Sequence, residues 1–265
     1  MGSSSTIQRK KTNLFIILSA IFLTNAIIAE IIGVKVFSME SSLGLQPAQL
    51  NFFGGFILDF NLTAGVVIWP IVFITTDVIN EYFGKKGVRK ISFLTAFLIA
   101  YIFVIIYMVT KLVPASIWLE LNSVDADGNP FNINNAFQTI FRQGLGIIIG
   151  SLTAFLIAQL LDVFIFQRLR HLTGKKMIWL RATGSTLVSQ LIDSFVVLGI
   201  AFYVFGNWSI MLIVSVGIMN YIYKFAVAIL LTPLLYVAHY FIDKYLGQEV
   251  ADRMAEEAGE DLSIF

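Results

Sequence analysis

The sequence predicts an all-α polytopic membrane protein with six transmembrane helices. Three observations predict it: an apolar composition, six apolar stretches long enough to cross a bilayer, and connecting segments whose basic residues alternate between the two sides. The chain of 265 residues is 57% hydrophobic and 13% charged, with a mean hydropathy of +0.82. Soluble domains are about 45–50% apolar and about 25% charged, and a soluble fold could not hide this much apolar surface. Lipid is therefore the expected solvent for most of the chain.

A crossing needs about 20 mostly apolar residues at about 1.5 Å each. The stretches that meet this are 14–36, 62–81, 91–113, 142–167, 181–204 and 209–239. The first follows Arg9, Lys10 and Lys11 as a signal peptide would, but it is longer than an h-region and no small-residue cleavage site closes it, so it reads as a retained helix. The last is long enough to tilt or to extend beyond the membrane. Pro70 and Pro233 are candidate kinks in the second and sixth spans. Residues 1–245 form the six-span domain, and 246–265 form an acidic cytosolic tail read as a short, fraying helix.

Basic residues sort the loops. Arg9, Lys10 and Lys11 precede the first span; Lys85, Lys86, Arg89 and Lys90 follow the second; Arg168, Arg170, Lys175, Lys176 and Arg181 follow the fourth; Lys244 and Arg253 follow the sixth. Segments 37–61, 114–141 and 205–208 have no Lys or Arg. The positive-inside rule then puts both termini in the cytosol, and a bacterial inner membrane is the expected location. Segment 114–141 reads as a solvated external loop, with a short helix at 115–121 and a turn at Asp127-Gly128-Asn129-Pro130. Segment 37–61 is more apolar and is expected at the interface or as an outer cap. Three spans followed by three permit an inverted 3+3 repeat. Asp77 and Asp162, each running into Gly-Lys-Lys, match one another, but both spans run from outside to inside, so this is not the match an inverted repeat requires.

Ionisable groups in lipid cost about 2.5–3.5 kcal/mol on insertion scales, so they turn inward and mark function or pair with each other. The spans carry Asn25 and Glu30, then Asp77, Asn80 and Glu81, then Gln159 and Asp162, then Gln190 and Asp193, then Asn220 and Lys224. Asp193 lies about 18 Å along a helix from Arg181, near mid-bilayer. Gln190 shares its face, and Asn220 and Lys224 are spaced four apart. These, with Asn25 or Glu30, are the expected midplane pocket, whereas Asp77, Asn80, Glu81 and Asp162 lie nearer the cytosol. The structural alternative is that Lys224 pairs with Asp193 or Glu30, that Asn25, Gln159 and Asn220 are interhelical glue, and that Asp77 and Glu81 reach out to the basic loop. Trp69 is a candidate to stack on a flat ligand; Trp118, Trp179 and Trp208 sit near span ends, as interface anchors do.

The absence of cysteine and the sequence distance between His171 and His239 argue against a thiolate or histidine metal centre. No nucleotide loop, GxSxG, HExxH or regular arginine series occurs. No cofactor, metal or enzyme chemistry is therefore expected, and no basic tract suggests nucleic acid.

The stretch Asp77-Val78-Ile79-Asn80-Glu81-Tyr82-Phe83-Gly84-Lys85-Lys86, Gly150-Ser151-Leu152 with Ala158-Gln159-Leu160-Leu161-Asp162, Ser189-Gln190-Leu191-Ile192-Asp193-Ser194, Asn220-Tyr221-Ile222-Tyr223-Lys224 and Thr232-Pro233 together resemble the queuosine precursor transporter family, also called the vitamin uptake transporter family. The resemblance covers about residues 12–245. It implies import of 7-deazaguanines such as preQ0, preQ1 or queuine for tRNA modification, a small-molecule substrate, and a substrate site among the polar residues just named. A homodimer is compatible with it. Two other readings stay open: the substrate-binding subunit of an ATP-driven importer, and an intramembrane enzyme.

Overall fold

The computed structural model describes residues 2–33, 35–52, 56–142, 145–173, 177–205 and 207–260. Five of its helices are long and apolar enough to cross a membrane: Ser5–Ile32 of α1 (Gly2–Ile32), α3 (Trp69–Val109), Ile148–Thr173 of α6 (Leu145–Thr173), Ile178–Val204 beginning with α7 (Ile178–Leu198), and α8 (Ile210–Leu246). The chain is an all-α multi-pass membrane protein.

The expected second and third spans fall within α3, whose 41 residues would reach about 60 Å. A hydrocarbon core is about 30 Å thick. Helical geometry fails inside α3 at Gly84, with φ 64° and ψ −173°. Glycine suits that position twice over: the left-handed φ penalises other residues, and a Cβ would meet the Ala258 carbonyl oxygen at 3.1 Å. Along the part after the break, Phe93, Phe97, Tyr101, Val104 and Met108 form an exposed apolar stripe at helical spacing. Such a stripe is at home against lipid.

Several expected boundaries move. Residues 62–68 are not helical span: Leu62 lies in strand β4 and a single 3-10 turn follows it. Pro70 lies in the first turn of α3, where its missing N–H costs nothing, so it does not kink a span. Pro233 does lie inside α8. The fifth span ends in a π-helical turn at Gly199–Val204, and the sixth runs to Leu246. Three basic residues counted within spans, Lys35, Lys111 and Arg142, lie beyond the ends of their helices, at the bundle end taken to be free of positive charge. The second Gly-Lys-Lys, at 174–176, lies outside the described residues.

At that end, β1 (Val36–Ser38) pairs antiparallel with β4 (Asn61–Thr63), and β2 (Leu50–Phe52) with β3 (Phe56–Leu58). Glu40, in the short helix α2 (Met39–Ser42), ties the segment together: its carboxylate accepts from the Phe60 N–H at 2.7 Å, the Ala48 N–H at 3.4 Å and the Ser38 hydroxyl at 3.1 Å. The Phe60 N–H, helped by these two, holds the Glu40 carboxyl below the usual carboxylate range. Two further short helices, α4 (Ser116–Leu121) and α5 (Ile133–Phe141), flank a turn at Gly128 organised by Asp125, whose side chain accepts from the Asn129 and Asp127 N–H groups.

The opposite, basic end holds both ends of the described chain. Lys10 donates to the Tyr245 carbonyl at 2.8 Å, and Lys11 lies 3.8 Å from Glu257. The expected fraying tail is a docked helix, α9 (Gln248–Glu260), entered through Gly247 at φ 91°. Its Ala251, Met254 and Ala258 are buried, and it packs mainly on α3 and α8. The core between α1, α3 and α6 is apolar, with Phe22, Ala26, Val72, Ile79, Phe155 and Phe166 all buried.

Candidate functional site

Helix α7 begins with a polar face at a spacing of four: Arg181, Ser185 and Ser189, with Thr186 and Gln190 beside them, all buried. Opposite stand Asp77, Asn80 and Glu81 of α3 and Gln159, Asp162, Gln167 and Arg170 of α6, also buried. Three helices thus bury a polar seam within an otherwise apolar bundle.

The contacts within the seam are specific. Glu81 Oε1 accepts from Arg181 Nη2 at 2.6 Å and from Arg170 Nη2 at 3.4 Å. Arg170 also donates to the Glu81 backbone carbonyl at 3.0 Å and to the Ala255 carbonyl of α9. Gln167 donates to Asn80 Oδ1 at 2.7 Å. Thr76 makes a long 3.5 Å contact to Gln159. Asp162 accepts from Ser189 at 3.1 Å, with the Ser185 and Thr186 hydroxyls within reach. Asp77 differs from Asp162: it feels the charges of Asp162, Glu81 and Arg181, yet among the described residues its Oδ1 is buried without a hydrogen-bond partner, as is Asn80 Nδ2. An unmet acceptor and an unmet donor therefore lie three residues apart on one face of α3.

Asp77 opens on a small cavity of about 20 Å³, lined also by Phe73, Thr183, Thr186 and Thr232. That is room for a water rather than a nucleobase. A larger cleft of about 480 Å³ lies at the basic end, between Glu81, Tyr82, Arg170, Arg181, His239 and Asp243, with α9 as one wall. There the Tyr82 hydroxyl donates to Asp243 Oδ1 at 2.7 Å and lies 2.8 Å from His239 Nδ1.

The other sequence-derived candidates lie apart from the buried seam. Lys224 pairs with Asp193 at 2.5 Å, so of its two expected partners it takes Asp193. Glu30 accepts from Ser151 at 2.6 Å and feels the charge of Asp193. Asn25 bonds the Ile21 carbonyl of its own helix at 2.8 Å, and Asn220 is half-buried. Trp69 is the first residue of α3, and its ring lies 5.8 Å from Phe73 and 6.1 Å from Phe155. Glu81 turns to Arg181 and Arg170, not to the basic loop after it.

Sequence reasoning missed Arg170 and Arg181, which were counted as loop charges. The spacing of Arg181, Ser185 and Ser189 would have revealed the face. It also missed Gln167, and His239 and Asp243 as the partners of Tyr82; His239 and Asp243, four apart on α8, are a detectable pair.

Comparison with known proteins agrees with these motifs. The sequence profile of a family described as "Putative vitamin uptake transporter" matches residues 63–238. The chain is 32% identical over 182 residues to a Bacillus subtilis protein named "Probable queuosine precursor transporter", covering 68% of this chain and 73% of that one. A Haemophilus influenzae protein of the same name is 28% identical over 183 residues (65% and 66% coverage), and an Escherichia coli "Queuosine precursor transporter" is 29% identical over 150 residues (56% and 58%). No solved structure matches significantly. With the family profile spanning both the Asp77–Glu81 segment and the polar face of α7, this chain belongs to the vitamin uptake transporter family.

Proposed function

We propose that this transporter imports 7-deazaguanine precursors of queuosine across the bacterial inner membrane, for use in tRNA modification. The observation that carries the reading is the unmet pair on α3: Asp77 Oδ1, an acceptor, and Asn80 Nδ2, a donor, both buried. A guanine-like edge offers an N–H donor beside a carbonyl acceptor and complements that pair. Burying unmet polar atoms costs about 1–3 kcal/mol each, which a matching ligand recovers and a ligand lacking the edge does not.

In this reading α3 makes two crossings that meet at Gly84, giving six spans with both termini cytosolic. Support comes from the length of α3 and from the basic residues Lys85, Lys86, Arg89 and Lys90 around the break. The basic end then faces the cytosol. The small cavity at Asp77 and the large cleft beyond Glu81 correspond to a closed centre with an open cytosolic vestibule, as alternating access requires of one state.

The test is uptake of labelled preQ0, preQ1 and queuine into a precursor-deficient strain expressing the chain. Accumulation that Asp77→Asn removes, with the protein still in the membrane, is the expected result. Uptake no greater than in the strain lacking the chain sinks the reading.

A further inference from the structure

The large cleft has a charge pattern of its own. Its walls carry four carboxylates, Glu81, Asp243, Asp252 and Glu256, against two guanidiniums, Arg170 and Arg181. Both guanidiniums converge on Glu81 at the inner end. Among the described residues of the lining the acids outnumber the arginines, and Asp243 and Asp252 lie on α8 and α9.

Two buried acceptor atoms of this lining have no hydrogen-bond partner among the described residues: Glu81 Oε2 and His239 Nε2. The state of His239 follows from its neighbours. Tyr82 has one hydroxyl proton and gives it to the Asp243 carboxylate, so its oxygen must accept from His239 Nδ1. The remaining nitrogen, Nε2, is then a bare lone pair. His239 is 9% exposed, so water reaches that atom poorly. Unmet acceptors in an acidic cleft ask for donors that carry positive charge.

The wall that supplies Asp252 is firmly placed. Arg170 bonds the Ala255 carbonyl, Gly84 leaves no room for a Cβ beneath Ala258, and a Cβ on Gly259 would meet Arg170 Nε at 3.0 Å. His239, Asp243 and Asp252 all lie beyond residue 238, where the family profile stops. Glu81, Tyr82, Arg170 and Arg181 of the same lining lie within the matched region.

We propose that this cleft is a second binding station, apart from Asp77, for the protonated amine of a small ligand. The ligand's N–H groups donate to His239 Nε2 and Glu81 Oε2, and Asp243 and Asp252 balance its charge. The station deepens the import reading, on which it rests only for which molecule arrives: a deazaguanine with an aminomethyl arm would be held here on its way out, and one with a neutral arm would not.

The experiment measures binding to the purified full chain in detergent with two pairs of probes. One pair is 7-aminomethyl- and 7-cyano-7-deazaguanine; the other is benzylamine and benzyl alcohol, which lack the deazaguanine edge. One charge-assisted hydrogen bond predicts about a tenfold preference for the amine in each pair. Asp243→Asn and His239→Phe should each bring both ratios close to one. Asp252→Asn, an exposed change that cannot unfold the bundle, should lower them partway. Benzylamine binding no better than benzyl alcohol overturns the station, as do amine ratios that survive all three substitutions. A benzylamine preference with no binding of either deazaguanine keeps the station and overturns the import reading instead.

Discussion

The Glu81–Arg181 pair and the Asp193–Lys224 pair are almost equally short, at 2.6 and 2.5 Å, but they sit in different surroundings. The first has side chains 8% and 2% exposed, a second guanidinium on the same carboxylate, and the Phe166 ring 5.8 Å from Arg181. The second is 21% and 18% exposed and joins α7 to α8. Distance alone therefore does not rank ion pairs. A fully buried charge must keep its partner, because nothing else will neutralise it. A half-exposed pair has other places to turn, and is freer to exchange its partner for a ligand.

The largest effect should follow from breaking the deeper pair. Arg181→Met leaves Glu81 with only the longer Arg170 contact, and removing one partner of a buried pair costs about 3–5 kcal/mol. Loss of folded protein in a thermal melt in detergent is the expected outcome. Arg181→Met with Glu81→Leu should recover much of it, and a double variant no better than the single one would show that packing, not charge, sets the cost.

Asp77 stands next. It shares the buried seam but its Oδ1 has no partner to lose. Asp77→Asn should leave the melting temperature unchanged or raised, and should weaken ligand binding up to about tenfold, the worth of one hydrogen bond. Equal loss of binding and stability would make Asp77 a structural member of the seam.

A double-substitution cycle of Asp193→Asn and Lys224→Met should give a smaller coupling than the Glu81–Arg181 cycle, because both side chains keep about a fifth of their surface open. Ligand affinity measured on the same variants sharpens the contrast. Complete loss of binding in Asp193→Asn would put this pair, and with it Gln190 and Asn220, in the substrate site.

The smallest effect belongs to the hairpin end. The folded Glu40 carboxyl is held below its ordinary value, so its stabilising bonds are intact at neutral pH and are lost as pH falls through that lowered value. Hydrogen exchange in residues 36–63, corrected for the intrinsic rate, should rise on acidification in the wild type and lose that dependence in Glu40→Gln. An unchanged profile in the variant would assign the pH response to another group.

The apolar runs and loop charges made the multi-pass architecture legible, because crossing length is a property of composition. The turn at 127–130 and the helix near 115–121 were legible for the same local reason. The break inside α3 was read as a basic loop, and its charges supported that, but nothing in the sequence revealed that Gly84 would be covered by α9. Asp77, Asn80, Glu81 and Asp162 could be singled out from the cost of charge in lipid. Their partners could not, because Arg170 and Arg181 look like span-end charges until the helix faces are known. The partner of Lys224 was open between two acids, and helix packing decides such a choice.

The docking of α9 also orders events during synthesis. Lys10 and Lys11, made well before α8 and α9, find Tyr245 and Glu257. Gly84 and Arg170 likewise wait for Ala258, Ala255 and Gly259. Contacts so distant in sequence form late. The helices can enter the membrane one after another, but the bundle's basic end stays unsealed until α9 has been made.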